Sequence, residues 1–265
     1  MFVSRRLAPI LSLVALAALG CDDEAAKPAA KGGSSAAQTT PPAGAGPAAS
    51  ASGAADAPPA KPTTMPELMV DAQGPYLGGS RVDLAAAGGK EKLTRIVKDL
   101  PINAQPVHLT VDKKAKGESV LAVVDELGKA GAPKILVKTA GRGDLPGEVT
   151  FTPGTRVSNP PGCSVSAMVL KDLSTAVWPF KGGLGKRHRK GFAGPDLTHT
   201  EEAMKKELSQ CESTMAFVGS DDTVAWEDTF NLAGALLKSD EKKRVDTLVL
   251  LPEGSVAGRA VTLPK

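Results

Sequence analysis

The chain has 265 residues, with 32 Lys and Arg against 29 Asp and Glu and a formal net charge of +3, which excludes a polybasic nucleic-acid binder. Twenty-eight Gly and 21 Pro without a Gly-X-Y period exclude collagen and point to a low-complexity segment. Three Cys with no Cys-x-x-Cys pair, and only His108, His188 and His199, leave a zinc finger or ribbon without ligands, so neither metal nor cofactor is expected.

The first element is an address. Residues 1–20 carry Arg5 and Arg6 ahead of an apolar run from Leu7 to Leu19, the pattern of a secretory signal. That run falls short of the roughly 20 apolar residues needed to span a bilayer. Ala18-Leu19-Gly20-Cys21 resembles the bacterial lipobox, and the resemblance implies a diacylglyceryl group on the thiol of Cys21 and attachment to the membrane through acyl chains such as palmitate. The alternative is an ordinary signal peptide cut near Ala17-Ala18-Leu19, which leaves Cys21 as a free thiol. Asp22, directly after the anchor, resembles an inner-membrane retention signal of enterobacterial lipoproteins, and the choice between inner and outer membrane stays open.

Residues 21–64 read as a tether. From Glu24 to Thr64 the chain is mainly Ala, Pro, Gly and Ser and contains no Leu, Ile, Val or aromatic residue. Such a segment cannot offset its ordering entropy, and it is expected to be a disordered spacer. After Thr64 there remain 27 basic and 25 acidic residues, a nearly neutral folded part.

Beyond the tether the elements repeat. Leu68-Met69-Val70 is a strand, Asp71 to Gly74 a turn, and Tyr76-Leu77 a second strand. Lys90 to Leu100 is a helix with Leu93, Ile96, Val97 and Leu100 on one face. Val107 to Val111 alternates as a strand. A second helix with Val120, Val124 and Leu127 inward stops at Gly131, and the strand Ile135-Leu136-Val137 follows. The second half keeps this order: strands Val165 to Leu170 and Thr175 to Phe180, a helix from a Thr198-x-x-Glu201 capping box, and the strand Met215 to Val218. A helix capped near Asp222 with Trp226, Phe230, Ala233 and Leu237 on one face then leads to the strand Thr247 to Leu251. The expected fold class is α+β, with two tandem small ββαβα(β) units, each a mixed sheet covered by two helices. Unit one occupies 65–140, a connector 141–162, unit two 163–252 and a tail 253–265.

The first unit, from PELMVDAQGPYLGG through VHLTVD to GESVLAVVDELGKAGAPKILVKT, resembles the periplasmic domain of the ExbD/TolR proteins of proton-driven Ton and Tol envelope systems. The likeness rests on the hairpin with its Asp71 to Gly74 turn, the strand ending in Asp112, and the helix closing on Ala130-Gly131. The second unit reads as a diverged copy. That family carries an acidic transmembrane helix for proton coupling, and here a signal peptide, Cys21 and a tether stand in its place. What the resemblance implies is therefore a non-catalytic envelope binding or scaffold protein, lipid-anchored and facing the periplasm, with Ton/Tol-type proteins or peptidoglycan as partners and no nucleic acid. A periplasmic hydrolase or a small-ligand carrier is the alternative.

Individual residues add four expectations. Export to an oxidising compartment allows Cys163 and Cys211 to pair, with two unpaired thiols as the alternative. Lys186, Arg187, Arg189 and Lys190, in a Gly-rich insertion from Gly182 to Gly194, are a candidate contact for anionic lipid or another polyanion, unless the insertion is only a solvated loop. Trp178 is a candidate exposed recognition residue, with a bulkier core as the alternative. His199, Asp196 and Ser209 or Ser213 sketch a triad, but no Gly-x-Ser-x-Gly elbow accompanies them, and helix capping accounts for the same residues.

Overall fold

Short β-branched runs bounded by Gly, Asp and Asn form strands, and apolar residues at three- and four-residue spacing form helices. The computed structural model describes residues 64–264. The segments expected to be a signal peptide and a tether, with Cys21 between them, therefore lie outside the described residues.

The first unit comprises β1 (Leu68–Asp71), β2 (Gly74–Leu77), β3 (Ser80–Arg81), α1 (Gly89–Lys98), β4 (Val107–Val111), α2 (Gly117–Lys129), β5 (Ile135–Lys138) and β6 (Glu148–Phe151). Its sheet runs β3-β2-β1-β4-β5-β6. β1 is antiparallel to β2 and parallel to β4, and β4 is parallel to β5. The hairpin turn is built as its residues require: Asp71 Oδ1 accepts from the Gln73 N–H at 2.8 Å, and Gly74 has φ 111°. A Cβ at Gly74 would lie 2.8 Å from the Val82 carbonyl oxygen, so only glycine fits. β6 comes from the connector and adds an antiparallel strand outside β5.

The second unit comprises β7 (Val165–Val169), β8 (Thr175–Pro179), β9 (Lys186–His188), α3 (Leu197–Ser209), β10 (Met215–Ser220), α4 (Trp226–Ser239) and β11 (Thr247–Leu250). Its sheet runs β11-β10-β7-β8-β9, with an antiparallel β7–β8 hairpin and parallel β7–β10 and β10–β11 pairs. Strand for strand, this is the order and sense of β5-β4-β1-β2-β3. The chain is thus α+β, with two tandem units that each place two helices on a mixed sheet.

The two sheets are covered differently. In β4 buried and exposed residues alternate, Val107, Leu109 and Val111 facing the helices while His108 and Thr110 face solvent. All five residues of β7 are buried, so the second sheet is covered on both faces. α3 and α4 cover one face. The segment after β11 closes the other, where Val261 packs with Trp178, Phe217 and Val249.

Trp178 is therefore not a recognition surface. It has 0% exposure, and its indole N–H donates to the Arg259 carbonyl at 2.9 Å. A strand buried on both faces needs large apolar side chains, and the backbone of the tail satisfies the ring's polar atom.

Both expected caps in the second unit move. α3 begins at Leu197, with Asp196 instead of Thr198 as its N-cap; the Asp196 carboxylate accepts from the His199 N–H at 3.2 Å. α4 begins at Trp226, and Asp221 and Asp222 do not cap it. Its first N–H groups are satisfied from the other unit, Trp226 N–H donating to the Ala115 carbonyl at 2.8 Å and Glu227 N–H to the Lys113 carbonyl at 3.0 Å. α2 does stop where expected, with Gly131 at φ 115° just past its end.

One core spans both units. Phe151 of β6 lies 6.0 Å from the Trp226 ring of α4, and the Trp226 indole N–H donates to Thr139 Oγ1 at 2.9 Å. Thr152 N–H donates to the Leu248 carbonyl at 2.7 Å, joining the edges of the two sheets next to β6 and β11.

Candidate functional site

Where the units meet, they leave a cleft of about 490 Å³, within the range that holds small ligands or a few peptide residues. One wall is a flank of α2, where Glu118, Leu121, Ala122, Asp125 and Lys129 recur at helical spacing. Lys90 and Leu93 of α1 with Leu84 before it extend that wall. The opposite wall is the carboxyl end of β10 (Gly219 to Asp222), the first turn of α4 (Trp226, Thr229) and the segment Leu250 to Ser255 after β11. Close approach shapes its floor. A Cβ at Gly117 would stand 2.9 Å from Ser220 Oγ, and one at Gly219 would stand 2.8 Å from the Leu251 Cβ.

The cleft is acidic. Six carboxylates, from Glu118, Asp125, Glu126, Asp221, Asp222 and Glu253, line it against Lys90 and Lys129. Two are matched inside it: Lys129 Nζ lies 2.6 Å from Glu126 Oε1, and Lys90 Nζ lies 3.6 Å from Glu253 Oε2. Glu118 has Lys116 at 3.7 Å, and Asp221 Oδ2 accepts from the Lys171 backbone N–H at 2.6 Å. Asp125 is different. Burial pushes its carboxyl up to about 6; Lys129 opposes that shift and Glu126 adds to it. The arrangement can bind a cationic group beside an apolar one, and it can take up a proton at Asp125 on mild acidification. Among the described residues, no cluster of His, Cys, Asp or Glu is placed to hold a metal ion.

Sequence reasoning missed this cleft. Asp125 sits one residue from Val124 at the border of the apolar face of α2, and a carboxylate at such a border is the only signal the sequence carries. Which wall stands opposite is not written in the helix.

The candidate residues from the sequence lie elsewhere. Cys163 and Cys211 are joined by a disulfide across 48 residues, with Cα atoms 5.7 Å apart, tying the approach to β7 to the end of α3. Beside it, the Ser164 and Ser213 hydroxyls share a buried 2.6 Å hydrogen bond. His199 Nδ1 lies 2.8 Å from Asp196 Oδ2, while Ser209 Oγ donates to the Lys206 carbonyl, so no serine completes a triad with His199. The Asp196 hydrogen bond holds His199 above its ordinary value, and His199 in turn holds the Asp196 carboxyl low.

The basic insertion is partly ordered by pairing. Lys186–His188 forms β9, the outer strand of the second sheet. Arg187 bonds Asp172 Oδ2 at 2.8 Å and Ser174 Oγ at 3.0 Å. Hydrogen bonds from Ser174, and then the Arg187 guanidinium, hold the Asp172 carboxyl below the usual carboxylate range. The His188 ring stacks on His199 with centroids 6.3 Å apart. Lys186, Arg189 and Lys190 are exposed, and among the described residues no carboxylate lies within ion-pair distance of them. Comparison with known proteins found no matching family model, no matching curated protein and no matching solved structure.

Proposed function

We propose that this protein is a non-catalytic, lipid-anchored component of a bacterial cell envelope, facing the periplasm, that binds Ton/Tol-type proteins or peptidoglycan through its two-unit body. The observation that carries the reading is the repetition of one strand order in both sheets. It supports two copies of a unit whose first copy resembles the ExbD/TolR periplasmic domain. The Cys163–Cys211 bond suits an oxidising compartment, in keeping with the export signal. Among the described residues no helix is long and apolar enough to cross a membrane.

The cleft is the natural contact for a partner segment that carries Lys or Arg beside apolar residues, since four of its six carboxylates make no ion pair with Lys90 or Lys129. Site-specific photo-crosslinking in the full chain from Ala122 and Ser255, one on each wall, tests this. Adducts with Ton/Tol-type envelope proteins, or co-sedimentation of the chain with peptidoglycan, are expected. Recovery of neither sinks the assignment. A second reading, carriage of a small cationic ligand, is favoured by the volume of the cleft, and a thermal-shift survey with diamines and basic dipeptides separates it from the first.

A further inference from the structure

We propose that the segment Leu184 to Phe192 is a membrane-contact loop that seats on an anionic lipid bilayer, independently of any acyl group on Cys21. Large apolar side chains of the described residues are almost all covered. Leu184, at 102% exposure, and Phe192, at 110%, stand fully in solvent. They flank the basic run from Lys186 to Lys190, one at each end. From Lys181 through Pro195 there are five Lys and Arg, Lys181 included, and no carboxylate.

The fold presents these two tips; it does not merely leave them loose. Before β9, the Gly183 N–H donates to the Gly258 carbonyl at 2.9 Å, and a Cβ at Gly182 would lie 2.7 Å from the Ala260 backbone nitrogen, so the tail grips the loop's entry. After β9, Gly191 and Gly194 form an antiparallel bridge, with the Gly191 N–H donating to the Gly194 carbonyl at 2.8 Å. Phe192 and Ala193 are the two residues at the apex of that tight turn. β9 itself is held by three register pairs to β8.

Two simpler explanations fail. Lysine on an outer strand blunts edge-to-edge association, which accounts for Lys186. Exposed Leu and Phe at either end of the same strand raise that hazard, so blunting is not the purpose of the whole segment. A soluble polyanion would use the charges but offers nothing to the apolar tips. A bilayer with anionic headgroups offers both, charge at the surface and an apolar boundary a few ångströms below.

The test uses the full chain carrying Cys21→Ser, so that no acyl group contributes. An environment-sensitive fluorophore on Phe192→Cys reports the loop directly, and the same label on Thr110→Cys, on the solvent face of β4, is the control. Vesicles are pure phosphatidylcholine or phosphatidylcholine with about one third phosphatidylglycerol. The expected result is a blue shift at position 192 and none at 110, on the anionic vesicles only, weakening with salt. Lys186→Glu, Arg189→Glu and Lys190→Glu together weaken binding read at 192 on the order of a hundred-fold, about five-fold for each cation lost. Absence of a shift at 192 overturns the proposal, as does an equal shift on neutral vesicles. Polyphosphate bound as tightly, with no blue shift, assigns the loop to a soluble polyanion and also overturns it. Acyl incorporation at Cys21 is measured separately on the unsubstituted chain, so failure of the loop and failure of the anchor are told apart.

Discussion

Lys116 and Ala225 stand opposite each other in an antiparallel bridge, and each is the residue before the first turn of its unit's second helix. Each also lies five residues beyond the end of the strand that joins its unit's two helices, Val111 in one case and Ser220 in the other. The two units therefore meet at corresponding positions, the starts of their second helices, although the hydrogen bonds there run one way, from the Trp226 and Glu227 N–H groups to the Ala115 and Lys113 carbonyls. Trp226, the residue after Ala225, belongs to the shared core and lines the cleft beside it.

Because Trp226 belongs to that shared core, the units unfold together. Tryptophan fluorescence and far-UV circular dichroism are expected to trace one coincident transition in urea. Thr139→Val leaves the Trp226 indole N–H without its acceptor and costs about 1–3 kcal/mol. Trp226→Ala, which empties a fully buried site, costs about 3–5 kcal/mol. Two resolved transitions would show that the units are independent.

Cys163→Ser with Cys211→Ser opens a closure of 48 residues, and the chain-entropy relation puts the loss at about 4 kcal/mol. Denaturant midpoints with and without reductant measure it. The double variant should be indifferent to reductant, and two reactive thiols in unreduced wild-type protein, beyond that of Cys21, would contradict the bond.

Asp125 sets a pH dependence with a definite sign. Its carboxyl is raised in the folded chain from 3.8 to about 6, so between those values the folded state holds a proton that the unfolded state has released. Stability therefore falls as pH rises through that window and stays reduced above it. Asp125→Asn is expected to stabilise at neutral pH by up to about 3 kcal/mol and to make no difference well below 3.8. A partner cation in the cleft would cancel the penalty, so ligand binding should lower the Asp125 pKa.

His199 shows the opposite case. Asp196 raises its folded pKa above 6.5, so the stabilisation is complete below 6.5 and disappears as pH rises through the folded value. NMR titration of the ring should give a midpoint above 6.5, and Asp196→Asn should return it toward 6.5 while weakening the cap of α3. An unchanged midpoint in the variant would remove Asp196 as the cause.

Gly128 marks where α2 meets the connector. A Cβ there would lie 2.3 Å from the Pro153 Cβ and 2.7 Å from Thr155 Oγ1, and a proline ring cannot swing aside. Gly128→Ala should cost about 1–3 kcal/mol by overpacking despite alanine's better helix propensity, read by thermal or urea melts.

The residue pattern was sufficient for the four helices and eight of the strands in their order, but not for the edge strands Ser80–Arg81, Glu148–Phe151 and Lys186–His188, which are set by pairing with a neighbouring strand. Alternation at Val107 to Val111, helical spacing at Val120, Val124 and Leu127, and Gly131 as a stop are local properties, and the structure reproduces each. What lies beyond a chain neighbour was out of reach. Trp178 has the same sequence signature whether solvent or a C-terminal segment covers it, and residues 81 positions away decide that it is buried. The start of α4 could not be read from Asp221 and Asp222, because its first N–H groups find acceptors at Ala115 and Lys113 of the other unit. The cleft is of the same kind: its walls are α2 and the ends of β10 and β11, more than 80 residues apart, and its charge is a sum over both. Periodicity records which face of an element is apolar. Only packing says what that face meets, because the contact energies that choose the partner are spread over side chains distant in sequence.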